Sequence, residues 1–216
     1  MPAVMGEGPS LAASPGRRER KTQATRKALE DAAWELFAER GFAATTIEDI
    51  TERVDVSVRT FFRHFPTKES VLFGDPHFLE APFRRALLAR PATEDIYRAL
   101  RATLRELAPL VESQRDRHLL RRRILEQPGG PTVEDHFGAI TDKGTMLRQI
   151  IAERMACAVD DVPPQLLGGM TVTIMDVAYR QWIATNARKS IGSLVDQAFD
   201  SFADLVTPLA DMEGEA

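Results

Sequence analysis

Apolar residues recur at intervals of three and four along most of the chain. Leu29, Ala32, Ala33, Leu36 and Phe37 fall at i, i+3, i+4, i+7 and i+8, the spacing of one helix face. This pattern predicts a first helix from about Lys21 to Arg40. Gly41 stops it, and Phe42 can fold back on Phe37, as in a glycine C-cap with its hydrophobic contact. Thr45 and Glu48 are spaced as a capping box for a short second helix, with Ile47, Ile50 and Val54 as its buried stripe. Asp55 breaks that helix. Ser57 caps a third, where Val56 and Phe61 can form a hydrophobic staple. Pro66 ends the third helix and Thr67 caps the next. Phe37, Phe42, Ile47, Ile50, Val54, Phe61 and Phe65 supply a core for these three helices. The tight turn Val54–Asp55–Val56 between the second and third is helix-turn-helix geometry.

Everything after residue 66 reads as one larger helical domain, 67–216. A helix from Thr67 is interrupted at Gly74–Asp75–Pro76, where a kink or hinge is expected. Further helices are expected at about 93–108, 115–127, 133–158, 164–188 and 191–209. Pro91, Pro109, Pro128–Pro131 and Pro163–Pro164 punctuate them. No segment alternates like a strand. Residues 1–16 are rich in Ala, Gly, Ser and Pro without periodicity and read as a disordered tail. The predicted fold class is therefore all-α.

Composition narrows the class. The 216 residues are 44% hydrophobic and 28% charged, ordinary for a folded chain. No apolar run approaches the roughly 18 residues of a membrane span. The N-terminus is small and polar first and basic last, the reverse of a secretory signal. Cys157 is the one cysteine, which excludes an internal disulfide or a Cys-based zinc site. A cytoplasmic protein with no membrane partner is expected. The net charge of −4 argues against a non-specific polyanion binder but not against a specific one. Residues 17–27 hold six Arg/Lys against one Glu. They suit either an arm beside a duplex or a solvated helix start.

With Phe61 and Phe65 turned inward, the third helix is left with Val58, Arg59, Phe62 and Arg63 outside. The first residues of such a helix meet base edges in the major groove, here Ser57, Val58, Arg59 and Thr60. The planar fork of Arg59 suits guanine O6 and N7, and Val58 and Thr60 can offer methyl contacts to thymine. Two arginines alone would make an ordinary solvated face; the staple, the turn and the outward Phe62 favour DNA. Thr45 and Thr46 open the helix that crosses the backbone, so a hydroxyl can cap it and touch a phosphate. His64 can donate to a phosphate or pack against the following helix. Lys68, in a first helical turn where the macrodipole disfavours a cation, suits a phosphate; alone, it would more simply point to water.

The stretch RKALEDAAWELFAERGFAATTIEDITERVDVSVRTFFRHFPTKESVL resembles the DNA-binding region of TetR-type regulators along its whole length. The resemblance is carried by A-x-x-L-F-x-x-x-G-F, T-T-I-x-D-I, V-S-x-x-T-F-F-x-H-F and P-T-K-E. It covers about a quarter of the chain directly. TFFRHFPTKESVLFGD is similar to a subgroup that includes regulators near mycofactocin clusters. The resemblance implies an N-terminal DNA-binding domain over 17–66 and a ligand-binding and dimerisation domain over 67–216. It implies Thr46, Ser57, Arg59, Thr60, Phe62, His64 and Lys68 as DNA contacts. Two departures stand out. Asp55 occupies the usual glycine of the turn, and aspartate tolerates the left-handed conformation. Phe62 replaces a tyrosine, so a phosphate hydrogen bond is lost and only ring packing remains.

The expected function is a ligand-responsive repressor, acting as a homodimer on a near-palindromic operator. Ligand would bias the heads by way of residues 67–90, with the Gly74–Pro76 break as hinge. The dimer is expected through the last two helices, by Met170, Ile174, Trp182, Leu194, Val195, Phe199, Phe202 and Leu205, with Gly168–Gly169 allowing close approach. Core packing is the plainer reading of that stripe. Ligand-pocket candidates are His118, Arg122, Met146, Met155, Met170, Thr171, Met175 and Tyr179; for each Met, packing is again the plainer role. The Arg121–Arg123 cluster is either solvated or a site for an anionic ligand. His118, His136, Glu134 and Asp135 have no spacing that fixes them as a metal or acid–base set, and no glycine-rich phosphate loop occurs. No enzymatic activity, cofactor or metal is expected. The alternative is a helical dimer acting through protein partners with a degraded DNA head. Intact Thr46, Arg59 and Lys68 speak against it.

Overall fold

The computed structural model describes residues 16–73, 78–127 and 134–213, without the side chains of residues 19, 134–143 and 207–213. The expected tail, the Gly74–Pro76 hinge and the Pro128–Pro131 stretch lie largely or wholly outside these residues. Every regular element among the described residues is a helix. The chain divides into two compact units, residues 1–67 and 68–216.

The first unit holds α1 (Arg17–Arg40), α2 (Ile47–Val54) and α3 (Val58–His64). The first turns of α1 are exposed, and burial begins at Leu29. The helix starts four residues before the sequence expectation because a polar, Arg-rich turn needs no apolar face to continue it. Gly41, at φ +89°, ends α1 with its N–H on the Phe37 carbonyl, and the Phe42 ring sits 5.0 Å from Phe37. Leu29, Phe37, Ile50, Phe61 and Phe65 are almost fully buried.

The cap of α2 lies one residue later than expected. Thr46, not Thr45, is the N-cap: its hydroxyl accepts from the Asp49 N–H, and the Asp49 carboxylate accepts from the Thr46 N–H. Thr45 turns inward, 1% exposed, and donates to the Gly41 carbonyl at 2.8 Å. A hydroxyl already satisfied by the α1 terminus has no second role at α2, and Asp49 reaches back where Glu48 was expected. Asp55 adopts φ 54°, ψ 51°, the left-handed conformation the turn requires.

The second unit holds α4 (Glu69–Phe73), α5 (Glu80–Leu88), α6 (Ile96–Glu112), α7 (Arg115–Leu125), α8 (Glu134–Met155), α9 (Val162–Ala184) and α10 (Ile191–Glu213). One apolar core joins α5, α6, α8, α9 and α10, with Leu87, Leu100, Leu147, Ile150, Trp182 and Phe199 at its centre. Three prolines lie within helices, and Pro109 does not end its helix as expected. Pro109 lies inside α6: the helix forgoes one backbone bond, while buried Leu107 and Ala108 and partly buried Val111 hold the last turn against the core. Pro163 and Pro164 sit in the first turn of α9, where the N–H groups have no helical partner anyway. Gly168 makes its close approach within the chain, where an added Cβ would stand 2.6 Å from Arg148 Cγ on α8.

Candidate functional site

In the first unit, a cap and two arginine ties hold α1, α2 and α3. Ser57 accepts from the Thr60 N–H at 3.2 Å and caps the helix. Arg53 at the end of α2 binds Glu35 and Glu39 on α1. Arg26 of α1 donates to the His64 carbonyl at 2.7 Å and lies 4.4 Å over the Phe65 ring. Arg26 comes from the basic stretch, and its role closing the end of α3 had no signal in the sequence beyond charge.

The outer face of α3 presents Arg59, Phe62 and Arg63 as exposed side chains, with Val58 half-buried. Phe62 is 52% exposed and meets Phe61 edge-on at 5.7 Å. Arg59 makes no hydrogen bond or ion pair among the described residues, so its fork is available. The Ser57 and Thr60 hydroxyls lie 3.0 Å apart, one donating to the other. Thr46 is exposed, its hydroxyl donating to Asp49 at 2.6 Å. Thr45 is withdrawn from the expected contacts, because its buried hydroxyl cannot reach a phosphate. Partial burial, then Arg63 and Arg26 nearby, push the His64 imidazole below its ordinary pKa, so a donation from it would be that of a neutral ring. Lys68 belongs to the second unit and stands before α4 rather than in its first turn; its carbonyl accepts from the Val71 N–H at 3.2 Å.

In the second unit, His118 of α7 and Tyr179 of α9 come together, Nδ1 to hydroxyl at 3.1 Å. Arg121 joins them, donating to both. Arg122 does not: it donates to the Ile183 carbonyl at 2.9 Å and to Glu126 at 2.7 Å, tying α7 to α9. Thr171 is fully buried and spends its hydroxyl on the Leu167 carbonyl. Met146 is core, while Met155, Met170 and Met175 are partly buried against it. Thr103 of α6, which no sequence pattern singles out, is fully buried, its hydroxyl without a hydrogen-bond partner among the described residues. An open cleft of about 290 Å³ lies elsewhere, between α6 and α10, lined by residues such as Arg105, Glu112 and Asp196. None of the expected pocket residues borders it.

The expected dimer stripe needs correction. Ile174, Trp182, Leu194, Val195 and Phe199 are all buried in their own chain, so none can face a partner. Both faces of the amphipathic pattern look apolar in sequence, and packing against α6 and α8 took the stronger one. Leu205 stays exposed at 73%, with Val162, Leu166 and Val206 also outside, while Met170 and Phe202 are half-buried.

Among the described residues no group of acidic, His and Cys side chains can hold a metal, and no helix is long and apolar enough to cross a membrane.

Known proteins match both units. Residues 29–73 match the family described as bacterial regulatory proteins, tetR family, and residues 94–207 match the MftR C-terminal domain. The transcriptional regulator TcmR of Streptomyces glaucescens is 31% identical over 200 residues, 90% of this chain and 88% of its own length. Among solved structures, FadR of Thermus thermophilus, a repressor crystallised with lauroyl-CoA, is 25% identical with a TM-score of 0.53, covering 81% of this chain and 91% of its own. The SmeT–triclosan complex reaches a TM-score of 0.55 at 19% identity, over 85% of this chain and 91% of SmeT, which is a likeness of fold. A helix-turn-helix head, an all-helical second unit and matches spanning both make this chain a DNA-binding transcriptional regulator of the TetR family.

Proposed function

We propose that this chain is a ligand-responsive repressor that binds a near-palindromic operator as a homodimer. The observation that carries the reading is the outer face of α3: an unengaged Arg59 beside exposed Phe62 and Arg63, on a helix held by its Ser57 cap and by Arg26. Arg59 reads guanine, Val58 and Thr60 offer methyl contacts, and Phe62 packs against the sugar–phosphate wall. Thr46, Ser57, Arg63, His64 and Lys68 position the duplex through its phosphates. The first unit is the DNA head; the second takes the effector and pairs with a partner copy. The pairing surface is the apolar set left outside the core on α9 and α10: exposed Val162, Leu166, Leu205 and Val206 with half-buried Met170 and Phe202. FadR and SmeT, with lauroyl-CoA and triclosan, support an effector for this fold without naming the one bound here. Operator release, not turnover, is the output.

Fluorescence anisotropy on the DNA upstream of the chain's own gene, beside a random duplex at several salt concentrations, tests this. Tight, salt-dependent binding to the upstream DNA alone is expected. A dimer that binds no DNA at all would replace the reading with a regulator acting through protein partners, and turnover of a small molecule by the pure protein would replace it with an enzyme.

A further inference from the structure

We propose that the second unit carries a site for an organic anion with an apolar body, built on Arg121 of α7 with His118 and Tyr179 beside it. This deepens the effector reading above and rests on it.

Arg121 is half-buried. It donates to the Leu72 carbonyl at 3.4 Å, to His118 Nδ1 at 3.1 Å and to the Tyr179 hydroxyl, and its guanidinium lies 5.3 Å from the Tyr179 ring centre. No carboxylate pairs with Arg121 among the described residues, a state it shares with half-buried Arg26, Arg148 and Arg154, whereas Arg90, Arg101 and Arg122 each hold at least one. Three hydrogen bonds leave two of the five guanidinium donors unused. A guanidinium does not shed its proton when withdrawn from water, so the missing element is a counter-ion. A carboxylate or sulfonate supplies that charge and accepts a charge-assisted hydrogen bond from an unused N–H.

The neighbours set the selectivity. His118 Nδ1 lies 3.1 Å from both the Arg121 guanidinium and the Tyr179 hydroxyl, and that hydroxyl accepts from Arg121. Arg121 supplies the fixed positive charge of the cluster, suited to a single anionic group. Beside it the surroundings are apolar. The Trp182 ring lies 5.6 Å from His118 and 6.1 Å from Tyr179, and Met175 sits one turn before Tyr179 on α9. An anion that draws Arg121 away breaks its longest hydrogen bond first, the one to Leu72 in α4. That helix follows the DNA head directly in the chain.

Two dyes with one aromatic skeleton test the site: anilinonaphthalene sulfonate, which is anionic, and N-phenylnaphthylamine, which is neutral. Each is titrated into the full chain and followed by dye emission. The native chain should prefer the sulfonate, Arg121→Met should weaken the sulfonate about tenfold with the neutral dye unmoved, and Arg121→Lys should fall between. Tyr179→Phe, a milder change, should weaken the sulfonate by a smaller factor and serves if Arg121→Met does not fold. Equal sulfonate affinity in the native chain and the variants overturns the site, as does parallel loss of both dyes, which marks a structural role. Operator binding by the same preparations separates the two readings. If the operator is bound but charge preference is absent, the anion site alone fails; if the native chain binds no operator, the regulator reading fails.

Discussion

Asp49 shows how one side chain serves both a helix end and the contact between helices. Its carboxylate takes the Thr46 hydroxyl and N–H, then Arg40 at 2.6 Å, and these hold its pKa down to about 2 from 3.8. A carboxyl whose pKa is lower in the folded state adds stability that is complete above its unfolded value and is lost as pH falls towards the folded one. The difference in unfolding stability between the native chain and Asp49→Asn should therefore be constant above about pH 5 and shrink between roughly pH 4 and 2. A difference independent of pH across that window would show that the ionised cap contributes nothing. At the DNA face, Arg59→Ala should cost about 1–3 kcal/mol and relax base preference at one position per half-site. Lys68→Ala should weaken binding on all duplexes alike and lower the salt slope. Competition among operator variants separates the two effects, and an equal loss for Arg59→Ala on specific and random DNA contradicts its readout role.

At the scale of elements, the turn between α2 and α3 is the most exacting piece of backbone in the head. Asp55 stands in the left-handed region without strain severe enough to bar it, and its N–H bonds back to Glu52. Asp55→Gly should leave thermal stability near that of the native chain, while Asp55→Val should cost about 1–2 kcal/mol, because a branched Cβ crowds the carbonyl in that conformation. Thermal unfolding followed by circular dichroism reads both, and a valine variant as stable as the glycine one would show the turn free to change shape. The helix pattern and this turn were legible because they depend on near neighbours: period, caps and glycine at Gly41. The cap of α2 was misplaced by one residue because Thr45 and Thr46 are chemically alike. What separates them is the Gly41 carbonyl, which α1 brings to Thr45. Sequence pattern alone places a stop at Pro109, because it does not display the core contacts that hold the last turn of α6.

For the whole molecule, α9 and α10 bury one apolar face in the core of their own chain and leave other apolar residues outside. The inner face is spent on the core, so the outer apolar residues are what a partner can cover. Leu166→Glu with Leu205→Glu should convert a dimer to monomers in sedimentation velocity and cost operator affinity, with the far-ultraviolet spectrum unchanged. A dimer that survives both substitutions would place the interface elsewhere. The sequence by itself determined the all-helical class, the three-helix head, the turn and the outward face of α3, since each follows from spacings of three or four residues. Only the tertiary structure decided which apolar stripe is core, that Thr45 is buried, that Arg26 closes α3, and that Arg121 rather than Arg122 meets His118 and Tyr179. The Arg26–His64, Arg121–Tyr179 and His118–Tyr179 contacts join residues 38 to 61 positions apart. No local periodicity encodes such pairings, because they are chosen by which helices pack and how deeply.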